Sequence, residues 1–156
     1  MDARAFTEQY RTIYQDLYRF ALYTMRNPHD AEDAVSEAVL AGYTGMEGLR
    51  KDEAFKSWMF TITANVCRKK LRQQPPEPID QVPEQPDDGP DAATALAVRQ
   101  LFGQLPDEER VIVAMAVFGG YSSKEVGALL NLNPNTVRSK HKRALAKLAG
   151  QLKDVS

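Results

Sequence analysis

Residues 122–152 read SSKEVGALLNLNPNTVRSKHKRALAKLAGQL, a short apolar-periodic segment, a polar turn and a longer basic segment. Ser122 or Ser123 can cap a short helix in which Val126, Ala128, Leu129 and Leu130 recur at helical spacing. Asn131, Leu132 and Asn133 make a tight turn, and Pro134, suited to a first helical turn, starts a second helix through about Leu152. The pattern predicts a helix-turn-helix. Val137, Ala144, Leu145 and Leu148 can pack the second helix onto its domain, leaving Asn135, Arg138, Ser139, Lys142 and Arg143 outward, at the end that enters a DNA major groove in such motifs. Arginine and lysine can bond guanine edges or hold phosphates, and Ser139 can serve either surface. Spacing alone leaves a second reading open, in which these cations are the solvated face of a structural bundle.

A net charge of −1 over 156 residues looks wrong for a DNA binder until it is divided along the chain. Residues 1–74 carry 11 basic and 10 acidic groups, residues 75–96 none and 6, and residues 97–156 9 and 5. The acidic middle conceals a basic helix, in which Arg138, Lys140, Lys142, Arg143, Lys147 and Lys153 follow one another with no acid between them.

The front of the chain is also helical. Phe6, Tyr10, Ile13, Leu17, Phe20 and Ala21 share one face of a helix from Arg4 to Met25. Asn27-Pro28 ends it, and a second helix runs to about Ala41 with Asp30, Glu32 and Asp33 at its dipole-positive end. Gly42 to Lys51 reads as a loop. A third helix begins near Asp52, turns Phe55, Met59, Ile62 and Val66 inward, and ends in Arg68, Lys69, Lys70 and Arg72. Trp58 falls among these apolar positions and reads as core. The proline-rich, acidic segment 75–90 has the composition of an extended linker, which divides the chain into units 1–74 and 91–156 and leaves their relative placement open. Helix resumes near Asp91, and another helix starts at Pro106, buries Val111, Ile112, Met115 and Phe118, and stops at Gly119-Gly120.

Several function classes are excluded. No nucleophile-base constellation or phosphate loop is present, so an enzyme is not expected. Cys67 is the one cysteine, and His29, Asp33 and Glu37, although spaced i, i+4, i+8, have no second cluster to complete a metal site. No metal or cofactor is expected. No run reaches the roughly 20 apolar residues of a membrane span, and no signal-peptide core opens the chain, so a cytoplasmic protein without direct membrane insertion is expected.

Leu105-Pro106, Arg110, Gly120-Tyr121-Ser122, Lys124-Glu125-Val126 and Thr136-Val137-Arg138-Ser139 lie in the order of sigma region 4. Asp30-Ala31-Glu32-Asp33-Ala34-Val35 looks like sigma region 2.2, and Phe55, Ser57-Trp58 and Asn65 look like regions 2.3 and 2.4. Over nearly its whole length the chain therefore resembles the extracytoplasmic-function (ECF) group of sigma-70-family RNA polymerase sigma factors. The resemblance implies an all-α fold of two small domains, a region 2 bundle and a region 4 helix-turn-helix domain, joined by the acidic linker. It implies binding of core RNA polymerase through the β′ coiled coil and the β flap, binding of promoter DNA, and control by an anti-sigma factor.

Carried over residue by residue, it assigns Asp30, Glu32, Asp33, Ser36 and Glu37 to the polymerase. Lys51, Asp52, Lys56, Asn65, Arg68 and Lys69 go to the minus-10 element, and Asn135, Thr136, Arg138, Ser139, Lys142 and Arg143 to the minus-35 element. The chain departs from the family pattern at Ser36, where glutamine is frequent, at Asn135, where glycine usually precedes the threonine, and at Lys140-His141, where arginine and an apolar residue are usual. Lysine offers a point charge where arginine offers a fork, which weakens base-specific contact at position 140. Two other readings compete: a sigma-like decoy that only titrates an anti-sigma protein, and a dimeric helix-turn-helix regulator. The basic face of 138–143 speaks against the first, and the lack of an evident dimerisation helix against the second.

Overall fold

The computed structural model describes residues 1–74 and 92–155, with side chains to residue 74 and from 97 to 151. The acidic segment 75–90 lies outside the described residues. Among the described residues there are seven α-helices and no strand: α1 (Ala3–Met25), α2 (Pro28–Thr44), α3 (Phe55–Gln73), α4 (Ala92–Gly103), α5 (Asp107–Gly119), α6 (Ser123–Leu130) and α7 (Pro134–Val155).

Local chemistry explains most boundaries. Asp2 caps α1 by accepting from the Ala5 N–H at 2.8 Å, and Asn27 caps α2 by accepting from His29 and Asp30. The second helix runs three residues beyond the expected end at Ala41. The cause is packing: Gly42 is buried against α3, where an added Cβ would lie 2.6 Å from the Met59 sulfur. The glycine belongs to a close helix crossing, not to a loop. Two short 3-10 turns, Met46–Gly48 and Asp52–Ala54, then lead into α3, three residues later than the expected start.

The larger difference concerns α5. Its sequence 110–118 is RVIVAMAVF, and residues 109–115 are all buried, including Glu109 and Arg110. A helix apolar on every side must be covered on every side. One flank packs on α1 and α3, the other on α6 and α7. The two halves consequently share one continuous core, running from Phe20 and Phe60 through Ile112 and Met115 to Val126, Val137 and Ala144. Aromatic pairs stitch the seam, with Tyr23 5.0 Å from Phe102 and 4.8 Å from Phe118, and Phe60 5.9 Å from Tyr121.

Candidate nucleic-acid interface

The helix-turn-helix is built tightly. Ser122 Oγ accepts from the Glu125 N–H at 3.2 Å while Glu125 Oε1 accepts from the Ser122 N–H at 3.0 Å, a reciprocal capping box. Hydrogen bonding from the Ser122 backbone N–H, and then from the Ser122 hydroxyl, holds the Glu125 carboxyl below the usual glutamate range. At the other end of α6, Asn131 takes the left-handed conformation, φ 56°. The Leu132 N–H donates to Gly127 O at 2.8 Å, and a Cβ on Gly127 would meet Leu132 O at 3.0 Å, so the turn closes over a residue with no side chain.

This turn aims α7. Val137, Ala144 and Leu148 are buried as expected, but Leu145, also expected to pack, is 45% exposed. Asn135, Thr136, Arg138, Ser139 and Lys142 are exposed together near the start of α7. Arg138 donates only to Asn135 Oδ1, at 3.4 Å. Arg143 differs, because it pairs with the buried Glu109 at 3.4 Å, and Lys147 joins the same carboxylate at 3.4 Å. Lys140 reaches Glu108 at 3.8 Å, and His141 Nδ1 lies 3.2 Å from Ser123 Oγ, half-buried. The acids of the first turn of α5 thus anchor one side of α7 and leave the other open.

The six residues assigned to the minus-10 element fall into two groups: Lys51 and Asp52 precede α3 and Lys56 lies in its first turn, and Asn65, Arg68 and Lys69 stand about 14–20 Å further along the α3 axis. Asn65 and Lys69 are exposed. Lys56 donates to Gly119 O at 3.1 Å, and Arg68 donates to Asn65 at 3.2 Å and to Leu130 O at 3.5 Å. Trp58 is half-buried and packs beside Phe55, ring centroids 6.3 Å apart.

The polymerase-assigned residues are divided between two sides of α2. Asp30 accepts from Gln74 at 3.4 Å and Glu37 pairs with Lys70 at 3.2 Å, both toward α3; Asp33 stays exposed, 3.8 Å from His29. Glu32 and Ser36 instead line a groove of about 680 Å³ between α1 and α2 with Tyr10, Tyr14, Tyr18, Leu40 and Tyr43. Tyr14, Leu40 and Tyr43 are 46–67% exposed there. Sequence reasoning missed this apolar component, although Tyr10, Tyr14 and Tyr18 at i, i+4, i+8 announce it. Among the described residues, no three potential metal ligands gather, and no helix is long and apolar enough to cross a membrane.

Residues 9–75 match the family described as Sigma-70 region 2, and residues 95–148 match Sigma-70, region 4. Over 151 residues the chain is 34% identical to the ECF RNA polymerase sigma factor SigM of Mycobacterium tuberculosis, covering 95% of this chain and 77% of that protein. The chain belongs to the ECF sigma factors. This ECF sigma factor is also 25% identical over 162 residues to SigW of Bacillus subtilis, covering 92% and 87% of the two chains. Its fold matches CnrH in complex with the cytosolic domain of CnrY, TM-score 0.73 at 24% identity over 99% of this chain and 92% of that one. It likewise matches the sigma factor RpoE in complex with the anti-sigma factor NepR from Bartonella quintana, TM-score 0.77 at 19% identity over 95% and 96%. Sigma factors are initiation factors and not enzymes, in keeping with the absence of any catalytic constellation in the sequence.

Proposed function

We propose that this ECF sigma factor docks on core RNA polymerase through α2, with Asp30, Glu32, Asp33, Ser36 and Glu37 meeting the β′ coiled coil and the α1–α2 tyrosine groove adding apolar contact. Its second half rests on the β flap and reads the minus-35 element with Asn135, Thr136, Arg138, Ser139 and Lys142. Arg143 touches backbone at the edge, since Glu109 already shares its charge. The α3 set, Lys51, Asp52, Lys56, Asn65, Arg68 and Lys69, holds the melted minus-10 strand. Residues 1–74 and 91–156 act as separate bodies on the polymerase, joined by 75–90, whose 16 residues reach at most about 55 Å. An anti-sigma factor covers these surfaces in the resting cell, and the protein works in the cytoplasm.

One observation carries this reading: the exposed face of α7 presents two cations and three hydrogen-bonding side chains at a helix start that a capping box and a closed turn hold in place. Footprinting of holoenzyme on a target promoter tests it. Arg138→Ala with Lys142→Ala should lose protection at minus-35 while core binding stays unchanged. Unchanged protection would assign that face to solvent.

A further inference from the structure

The cations of α7 fall into two sets. Five lie between residues 138 and 147. Lys140, Arg143 and Lys147, spaced i, i+3, i+7, form one stripe along the flank of the helix, and all three end on acids in the first turn of α5. Lys140 lies 3.8 Å from Glu108, and Arg143 and Lys147 take one oxygen each of Glu109, both at 3.4 Å. Arg138 and Lys142 stand exposed on the open face, and among the described residues neither meets an acid. Of the five acids in residues 97–156, three open α5; Asp107 serves Arg110 at 2.8 Å, and the other two serve α7.

Stability does not account for this arrangement. Glu109 is buried beside the apolar run of α5, where a neutral side chain of the same shape would avoid the desolvation of a carboxylate. The side chains of Arg143 and Lys147 are 60% and 47% exposed, so their pairs with it add little to folding. The effect of the carboxylate is on the surface charge of α7. Attraction to phosphates is blind to sequence, and only contacts to base edges discriminate. DNA of the wrong sequence imposes no register, so α7 can roll on it until flank cations meet phosphates. On the right sequence, base contacts from Asn135, Arg138, Ser139 and Lys142 fix the roll and leave the flank where it is. Neutralising the flank from inside the domain therefore weakens wrong complexes more than right ones.

We infer that Glu109, with Glu108 beside it, is a specificity-determining positioning residue of the DNA interface, an internal counterion that withholds the flank cations of α7 from phosphates and leaves promoter choice to the open face. This rests on the minus-35 assignment of α7. Glu109 touches no DNA itself; it acts through Arg143 and Lys147.

The test measures holoenzyme affinity for two duplexes, a promoter from which wild type initiates and the same duplex with its minus-35 element scrambled, between about 50 and 200 mM salt. Wild type is compared with Glu109→Gln, with Glu109→Asp, and with Glu109→Gln plus Lys147→Gln. On the scrambled duplex, the two cations freed by Glu109→Gln should steepen the slope of log affinity against log salt by about 1 to 2, which over that salt range amounts to about tenfold in affinity. Preference for the intact element should fall by about the same factor. Glu109→Asp disturbs the packing but keeps the charge, so it should stay near wild type, and adding Lys147→Gln should take back about half of the slope change. An unchanged slope in Glu109→Gln overturns the inference, and so does a steeper slope with undiminished preference. Glu109→Asp behaving like Glu109→Gln overturns it too, since packing and not charge would then be responsible. Wild-type holoenzyme with no preference for the intact element sinks the minus-35 assignment and the inference with it; a preference that withstands Glu109→Gln sinks the inference alone.

Discussion

Single residues show where composition misleads. Gly42 looks like a loop residue in the sequence, yet it is buried in α2 under Met59. Gly42→Val should cost about 1–3 kcal/mol in urea unfolding, because the added methyls overpack a helix crossing; a change below 0.5 kcal/mol, the usual range of surface substitutions, would contradict that placement. Glu109 is the reverse case, a buried charge in an acidic first turn that reads as solvated, and nothing in its neighbours along the chain announces Arg143 and Lys147 as partners. Both cations are half exposed and can return to water, so Glu109→Gln should cost only about 1 kcal/mol. It should also free two positive charges and steepen the salt dependence of DNA binding, measured as the slope of log affinity against log salt. Cys67 is fully buried, and burial pushes its thiol up to about 12. It should resist alkylation at neutral pH at a rate set by unfolding, and rapid labelling of native protein would show that α3 leaves the core more readily than its packing implies.

At the scale of elements, the helices were legible in the sequence wherever one face was apolar and a cap stood at the end. The period of Phe6 to Ala21, Pro28, Pro134 and Gly120 all mark elements that exist in the structure. The turn of the helix-turn-helix was legible too, because Asn131 and Pro134 have few other uses there. What sequence reading did not resolve was the length of α2, set by a contact with α3, and the burial of residues 109–115 of α5 on every side, set by the other half of the chain, while Phe118, expected to be buried, is only half-buried. The run Val111 to Met115 did carry that signal, since five consecutive apolar residues on a helix leave no face of that turn for water, whereas Val117 beyond it is 57% exposed. The capping box makes a pH-dependent prediction for α6. Glu125 titrates below its unfolded range, so its stabilising bond is complete above the usual glutamate range and is lost as pH falls through the depressed value. Protection of the Ser122 amide proton, its exchange rate relative to the intrinsic rate at each pH, should fall on acidification in wild type and stay constant with pH in Glu125→Gln; parallel profiles would show that the carboxylate bond contributes nothing. Ser122→Ala should cost about 1 kcal/mol at any pH.

At the scale of the molecule, the two halves carry different surfaces but share one core. The candidate polymerase face of α2 and the candidate DNA face of α7 are exposed, whereas Lys56 and Arg68 of the candidate minus-10 set donate to Gly119 O and Leu130 O of the second half. Its near-neutral net charge leaves promoter affinity to the polymerase, because free protein neutralises few phosphates by itself. The residues assigned to DNA and polymerase were nameable from sequence through their family pattern, while the aromatic groove required α1 laid against α2, and the bonds of Arg26 to Gly103 O and Arg110 to Thr24 O required helices brought together from distant parts of the chain. The most direct measurement is single-round transcription with purified core polymerase over a library of genomic promoters, comparing wild type with Arg138→Ala plus Lys142→Ala and with Asp33→Ala plus Glu37→Ala. Wild type should initiate from promoters sharing two elements, the first variant should lose minus-35 selection, and the second should lose core binding. Wild type that binds core polymerase at no concentration and starts no transcript would contradict the initiation function at its root.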